Sequence, residues 1–305
     1  MKLNLVIAVL ILLSSCKDNN EPENPNMSTP AVVQGLTLSI SNRSFDDTYA
    51  TLRNTIDANT NIKIIAEVNH MANAASVDLE LNPTRVIFFG NPNLGTPLMQ
   101  KNQLAGLDLP QKIVAYQDAD NGVYVGFNAT DYLIGRHQLE SVQTLPTINN
   151  ALTGITTTAT GSEIIVSPST TMISSEGVIT KISTQNFDDT YNTLKTTIDN
   201  NPNLKIIAEV NHQENASNVG LELRPTRLII FGNPNLGTPL MQNKATAAID
   251  LPQKMLVWEG EDGAINVSYN TPDFLKLRHN IQDNDTILET INNALDNISN
   301  AASRL

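Results

Sequence analysis

The chain of 305 residues contains a single cysteine, Cys16, and only four histidines. One cysteine excludes an intramolecular disulfide framework, and it leaves no thiol pair for a metal site. Basic residues are also scarce, with 19 Lys and Arg against 31 Asp and Glu, for a formal net charge of −12. Because nucleic-acid binding requires clustered positive charge, we expect no nucleic-acid partner.

Residues 3–13 form an apolar run in which only Asn4 is polar. The run is too short to span a bilayer as a helix, which needs about 20 apolar residues. Its charged start and small-residue end predict a signal peptide over residues 1–15. The following Leu13-Ser14-Ser15-Cys16 resembles a bacterial lipobox. We therefore expect acylation of Cys16, for example with palmitate, and a lipoprotein anchored in the membrane of the bacterial cell envelope. The outer membrane is favoured, with its periplasmic or surface side left open.

Residues 16–34 are rich in Asn, Pro and acidic side chains, which is typical of a disordered tether. Beyond them, the block FGNPNLGTPLMQ occurs twice without a change, at residues 89–100 and 231–242. Flanking residues repeat with the same spacing of 142 positions, so the chain is a tandem duplication. The predicted organisation is a first domain at residues 35–152, a linker rich in Thr and Ser at residues 153–175, and a second domain at residues 176–305.

Apolar residues recur with two different periods inside each copy. Residues 36–40 alternate as in a half-buried strand, whereas the apolar positions of residues 45–56 have helical spacing. Thr96-Pro97 predicts a helix that begins at Pro97 with Thr96 as its N-cap. Strands at residues 112–117 and 123–128 flank a turn and predict a hairpin. The sequence thus predicts an α+β fold, in which each domain has a small antiparallel or mixed sheet covered by helices and the two domains pack as a pseudo-two-fold dimer.

Several blocks in each copy carry a family resemblance. They include Asn69-His70, Phe89–Met99, Asp108-Leu109-Pro110 and Arg136-His137, and all of them recur 142 positions later. These blocks resemble the family catalogued as domain of unknown function 302, over nearly all of both copies. The resemblance implies a small α/β domain that often pairs with itself, and it implies no settled activity.

All four histidines occupy equivalent positions in the two copies. An imidazole can ligate metal or transfer protons near neutral pH, and a glutamate three positions before the first histidine could assist it. The alternative is a structural histidine at a strand end. Because 67 positions separate the two histidines of one copy, no local spacing supports a metal site, and no metal ligand is assigned. The candidate catalytic residues are His70, His137, His212, His279, Glu67 and Glu209.

The repeated block contains a loop between a strand and a predicted helix start. Backbone N–H groups in such a loop can hold a phosphate or carboxylate. The alternative interpretation is that the loop has only a structural role, as an ordinary turn followed by an N-cap. The candidate ligand-binding residues are Gly90, Asn91, Gly95, Thr96 and Arg85 in the first copy, and Gly232, Asn233, Gly237, Thr238 and Arg227 in the second.

The two copies share no serine between residues 45 and 137, and the one cysteine is the lipidation site, so a Ser or Cys hydrolase is poorly supported. No cofactor is evident. The leading hypothesis is a membrane-anchored binding or interaction module without enzymatic activity, with a small anion as the candidate ligand. A His-dependent metal protein or enzyme and a structural scaffold of the envelope are the alternatives. The protein or small-molecule partner is unknown.

Overall fold

A computed structural model describes residues 32–166 and 172–304. The predicted signal peptide, Cys16 and most of the predicted tether lie outside the described residues. The first domain contains β1 (Leu36–Ile40), α1 (Phe45–Asp57), β2 (Lys63–Asn69), α2 (His70–Ala75), β3 (Thr84–Gly90), α3 (Pro92–Lys101), β4 (Gln111–Gln117), β5 (Val123–Asn128), α4 (Thr130–His137), α5 (Leu145–Thr160) and β6 (Ile164–Val166). The second contains β7 (Val178–Ser183), α6 (Phe187–Asp199), β8 (Lys205–Asn211), α7 (His212–Ser217), β9 (Thr226–Gly232), α8 (Pro234–Asn243), β10 (Gln253–Glu259), β11 (Ile265–Asn270), α9 (Pro272–His279) and α10 (Asp285–Ser303).

Each domain is built on one antiparallel sheet. The strand order is β2-β3-β4-β5-β1-β6 in the first sheet and β7-β11-β10-β9-β8 in the second. In the first sheet, α1 packs against β2, β3 and β4, and α5 packs against β1 and β5. The predicted α+β class with two helix-covered sheets is confirmed, and the sheets are antiparallel.

Helix α1 shows how the local sequence sets the fold. Its buried positions include Phe45, Tyr49, Leu52 and Ile56, which recur at helical spacing and face the sheet. The Ser44 hydroxyl caps the helix by accepting from the Asp47 N–H. Two aspartates in the first turn interact favourably with the positive end of the helix dipole. The predicted helix over this segment is confirmed.

The predicted start of α3 at Pro97 is wrong, because the helix begins five residues earlier, at Pro92. Asn91 is the N-cap, and its side chain accepts from the Asn93 N–H. Pro97 therefore lies inside the helix, where it cannot donate to the carbonyl of Asn93. Asn93 is exposed, so its carbonyl can bond water instead. Thr96 is therefore not the N-cap. Its hydroxyl is buried and has no hydrogen-bond partner.

The segment predicted as the linker contains regular structure. Helix α5 continues to Thr160, and a short strand, β6, pairs antiparallel with β1. The Ser39 and Thr160 hydroxyls share a hydrogen bond of 2.8 Å that ties the helix end to β1. Residues up to 166 thus pack with the first domain.

The two domains pack face to face with matching contacts in both directions. The Gln100 side-chain amide donates to the carbonyl of Glu222, and the equivalent Gln242 donates to the carbonyl of Glu80. A 3-10 turn at residues 245–249 of the second domain packs on β3, β4 and β5, and the turn at residues 103–107 packs reciprocally on β9, β10 and β11. Central strands are consequently buried on both faces, and the predicted pseudo-two-fold dimer is the arrangement in the structure.

Candidate functional site: two interdomain pockets

An apolar pocket of about 130 Å³ lies where the first domain meets the second. Its walls come from the end of β3, from α3, from α5 and from the segment that leads into β4. The apolar side chains that form most of its surface include Phe89, Met99, Leu109, Ile148 and Leu152. The pocket is therefore suited to an apolar group. His212 of the second domain forms one of its sides.

The second domain has an equivalent pocket of about 340 Å³. Phe231, Met241, Leu251, Ile291 and Leu295 take the places of the five apolar side chains of the first pocket. His70 of the first domain closes this pocket, just as His212 closes the first. Each pocket is thus completed in trans by a histidine from the other domain.

The histidines reach the other domain because of their place in the chain. Each follows the last residue of a strand and begins a short helix whose N-cap is the preceding asparagine, Asn69 or Asn211. These helices, α2 and α7, pack against α8 and α3 of the opposite domain. His70 and His212 are consequently buried, each with only 5% of its surface exposed.

Both rings are neutral at pH 7. Burial lowers the pKa of His70 and of His212 to about 4, although backbone hydrogen bonds act in the opposite direction. These bonds join His70 to Leu251, and His212 to Gly106 and Leu109, and they raise the pKa because the ring donates to carbonyl groups. Nε2 of each ring has no partner, so we assign the donated proton to Nδ1. Each Nε2 is then a buried acceptor without a donor.

Two further residues that line each pocket carry a buried polar atom without a hydrogen-bond partner. In the first pocket these atoms are Oγ1 of Thr96 and Nε2 of Gln111, and in the second they are Oγ1 of Thr238 and Nε2 of Gln253. Unpaired buried polar atoms are rare in folded proteins and costly, so a repeated set needs an explanation. The same three atom types occur twice, at equivalent positions, on residues that line the two pockets.

A buried ionic cluster lies at the domain interface. Asp108 bonds Arg136 at 2.7 Å and His137 at 2.8 Å, and Asp250 bonds Arg278 at 2.6 Å and His279 at 2.9 Å. Nζ of Lys112 lies 3.4 Å from Asp250 and 4.0 Å from Asp108, so it bridges the two carboxylates.

The arginines of this cluster cross between the domains. Arg136 donates to the Asn270 side chain and Arg278 to the Asn128 side chain, both at 2.8 Å. Burial disfavours ionised Asp108, but the Arg136 guanidinium, with His137 and Lys112, holds its pKa well below the usual range. The cluster therefore fixes the register of the two domains through charged groups that water does not reach.

The candidate residues from the sequence fall into three separate places. Gly90, Asn91, Gly95 and Thr96 line the first pocket, and Gly232, Asn233, Gly237 and Thr238 line the second. His70 lines the pocket formed by the loop of the second copy, and His212 lines the pocket formed by the loop of the first. His137 and His279 lie in the ionic cluster, so the two histidines of one copy occupy different sites.

Arg85 and Arg227 do not join the pockets. The Arg85 guanidinium lies 4.7 Å from the centre of the Tyr49 ring, and Arg227 lies 5.2 Å from that of Tyr191. Glu67 and Glu209 accept from the same tyrosines, at 2.8 and 2.7 Å. The glutamate, tyrosine and arginine thus form one surface cluster in each domain, over α1 in the first and over α6 in the second.

The expected anion-binding loop is an N-capped helix start. The Asn91 side chain accepts from the Asn93 N–H, and the Asn91 backbone carbonyl accepts from the N–H groups of Leu94 and Gly95.

Within residues 32–166 and 172–304, no group of three or more His, Cys, Asp or Glu side chains could hold a metal ion. None of the helices in this described part is long and apolar enough to cross a membrane.

Sequence reasoning missed Gln111 and Gln253 as pocket residues and Asp108 and Asp250 as buried charges. One signal was available, because the block Asp-Leu-Pro-Gln-Lys is identical at residues 108–112 and 250–254. Apart from this identity, an aspartate with a lysine four positions later gives no indication in the sequence that its carboxylate is buried.

The fold and the pockets define a duplicated α+β protein in which each domain completes a cavity of the other. The chain belongs to the family described as "Domain of unknown function DUF302", whose profile matches residues 36–155 and 179–298. Over 78 residues it is 44% identical to the "Fluoride-specific ion channel FluC 1" of Brucella suis biovar 1 (strain 1330), which is 26% of this chain and 31% of that protein. The FluC 1 protein of Brucella abortus biovar 1 (strain 9-941) shows the same identity over 29% of its length. The chain thus spans less than a third of these curated relatives.

A solved structure is also similar, that of an uncharacterized conserved protein DUF302 from Bacillus stearothermophilus. The TM-score is 0.36 and the sequence identity 16%, over 41% of this chain and 98% of the other.

Proposed function

We propose that this protein is a lipid-anchored, extracytoplasmic binding protein that holds one small molecule in each of its two interdomain pockets. One observation carries the proposal: two pockets occupy equivalent places at the domain interface, and in each the same apolar side chains of one domain are closed over by a histidine of the other. A concave apolar site with a few fixed polar groups is the usual form of a small-molecule site.

The proposed location rests on the sequence that precedes the described residues. The lipobox-like Leu13-Ser14-Ser15-Cys16 would place acyl chains on Cys16, and the acidic chain, with a net charge of −12, would not bind an anionic membrane by charge alone. The lipid would hold the binding domains near a membrane of the cell envelope.

The decisive experiment is to identify what the protein carries. The full acylated chain is purified into lipid nanodiscs, because detergent tails could enter the apolar pockets. The protein is then denatured, and the released small molecules are analysed by mass spectrometry. We expect a molecule at a ratio of up to two per chain.

Blocked variants show where that molecule was held. Ala151 lines the first pocket and Ala294 the second, so Ala151→Trp with Ala294→Trp fills both cavities. Gly154→Trp is the matched control, since Gly154 lies on α5 with nothing within 4 Å of its added Cβ. Loss of the molecule from the double variant alone supports the proposal. A molecule retained by a folded double variant would place the binding elsewhere and refute it.

Added ligands provide a second readout. Thermal unfolding is followed with small organic molecules and with simple anions, including fluoride, which the names of the FluC relatives mention. If the wild-type protein releases no molecule and none of these additions shifts its Tm, the binding function is refuted.

A further inference from the structure

We infer that the outer edge of β7 is a docking site for an extended, apolar segment of a partner protein, which pairs with β7 as an added antiparallel strand. The site belongs to the sheet of the second domain and does not involve the pockets. A difference between the two sheets, the backbone groups that β7 turns outward and the uncharged side chains beside them support this assignment.

The two sheets differ at equivalent edges. In the first domain, β6 pairs antiparallel with β1, and Ile165 lies opposite Leu38. In the second domain β7 takes the place of β1, but no strand of the described residues pairs with its outer side. Side-chain exposure agrees with this difference, because Leu38 is 2% exposed, its equivalent Thr180 is exposed, and Ile182 is 63% exposed. The edge that the first domain covers with its own chain is thus open in this part of the second.

Three of the four sheet edges within residues 32–166 and 172–304 have features that hinder the addition of a strand. The register of β2 shifts between Ile64 and Ala66, as at a β-bulge, and that of β8 shifts between Ile206 and Ala208. Strand β6 is only three residues long. In contrast, β7 pairs with β11 in continuous register over six residues and contains no proline or glycine. It is therefore the edge best suited to a further strand.

The backbone of β7 directs alternate residues towards the open side. The N–H of Thr271 donates to the carbonyl of Gly177, which precedes β7. Because successive residues of an antiparallel strand point to opposite sides, the odd-numbered residues of β7 bond β11 and the even-numbered residues face away from it. The outward residues are Val178, Thr180 and Ile182. Thr180 and Ile182 thus each direct an N–H and a C=O to the open edge.

The side chains beside this edge favour an apolar segment. The outward residues carry no charge, and the ammonium of Lys181, on the other face of the strand, lies 2.6 Å from a carboxylate oxygen of Asp296 on α10. In strand addition, main-chain hydrogen bonds supply affinity and alternate side chains supply specificity. A run of β-branched residues fits such an edge, as Ile164–Val166 does on β1. A second copy of this chain fits less well, because each copy has a net charge of −12 and the two repel each other.

A peptide with the sequence of residues 161–166, Gly-Ser-Glu-Ile-Ile-Val, is the probe, since this segment already covers the equivalent edge of the first domain. The peptide carries a fluorescent label, and anisotropy measures its binding to the full chain in lipid nanodiscs, with empty nanodiscs as the blank. We expect saturable binding to the wild-type protein, at one peptide per chain.

Proline at the centre of the edge tests the main-chain pairing. Thr180→Pro removes an outward N–H and leaves the ladder with β11 in place, so the peptide should bind at least about 10-fold more weakly. Thr180→Val is the matched control and should bind as the wild-type protein does. Both variants lose the bond between the Thr180 and Ser268 hydroxyls, so they differ in the backbone N–H.

A charge exchange tests the register without changing the backbone. The register of β6 on β1, continued by one residue, places Glu163 opposite Ile40, whose equivalent in β7 is Ile182. Ile182→Lys should therefore bind the peptide about 5-fold more tightly than Ile182→Asp, because opposite charges attract across a strand pair and like charges repel. The order should reverse for a peptide with Glu163→Lys.

Four outcomes overturn the inference. Absence of saturable binding to the wild-type protein up to about 1 mM peptide excludes strand docking. Equal binding by folded Thr180→Pro and Thr180→Val places the peptide elsewhere. An affinity order that does not reverse with the peptide charge also rejects the site, and this result remains decisive if Thr180→Pro does not fold. Dimers of the wild-type chain that Thr180→Pro separates and Thr180→Val retains would assign the edge to a second copy.

Discussion

Replacing both pocket histidines should remove a large part of the acid sensitivity of folding. In the folded protein, burial lowers the pKa of His70 and His212 to about 4, whereas an unfolded histidine has a pKa of about 6.5. Between these values the unfolded chain binds more protons than the folded chain. The free energy of unfolding therefore falls as the pH falls from about 6.5 towards 4.

The size of the effect follows from the two pKa values. Each histidine should contribute a loss of about 2 kcal/mol between pH 7.5 and pH 5, so the pair should account for about 4 kcal/mol. In the double variant His70→Gln with His212→Gln, these positions cannot titrate. The stability of the wild-type protein should thus decline more steeply than that of the variant, and the gap between their pH profiles should change by that amount.

Urea denaturation at intervals from pH 7.5 to pH 5 measures the two profiles. His279, whose pKa burial also lowers, and the aspartates of the ionic cluster are present in both proteins, so their contributions cancel in the difference. Each single variant serves as an internal control and should remove about half of the pH-dependent difference. Parallel profiles for the wild-type protein and the double variant would show that the rings are not buried in the neutral form, which would refute the assignment of Nε2 as an acceptor.

Three further changes test other parts of the structure. Arg136→Met leaves the Asp108 carboxylate buried without its closest cation, and urea denaturation should show a loss of about 3–5 kcal/mol in the free energy of unfolding. Gly35→Ala should cost more than about 1 kcal/mol, because Gly35 has φ +66° and an added Cβ would lie 2.7 Å from Cβ of Tyr132, whereas Gly154→Ala on exposed α5 should be neutral or stabilising in the same assay. Cys16→Ser should abolish metabolic labelling with palmitate, and unchanged labelling would exclude Cys16 as the lipidation site.

The elements that the sequence predicts well are those whose pattern admits one solution. Helix α1 is an example, because its apolar spacing, its serine cap and its two early aspartates all agree. The start of α3 is different, since Asn91-Pro92 and Thr96-Pro97 both have the form of an N-cap followed by a proline. Where α3 begins depends on which residue follows the end of β3 at the cap position. That position is set by packing in the folded domain and not by the local sequence.

The candidate site was predictable in composition but not in assembly. Identity between the copies pointed to the loop and to the histidines. However, His212 meets the loop of the first copy only because the domains pack face to face, and one copy alone contains no information about that contact. The role of Thr96 was hidden for a similar reason, because its type and position also suit a helix cap. A half-buried glutamine such as Gln111 has no sequence signature at all.

The fusion of two domains into one chain has a physical consequence for the pockets. In a symmetric homodimer of single domains, both pockets would be identical, because a two-fold axis relates every residue to its copy. In the fused chain each pocket can change alone, and the two cavities do differ, at about 130 and about 340 Å³. The His, Thr and Gln atoms are nevertheless the same in both, and the arginines of the ionic cluster still cross the interface in both directions. The fused chain has therefore kept the contacts that join its domains, while the volumes of the two pockets between them have diverged.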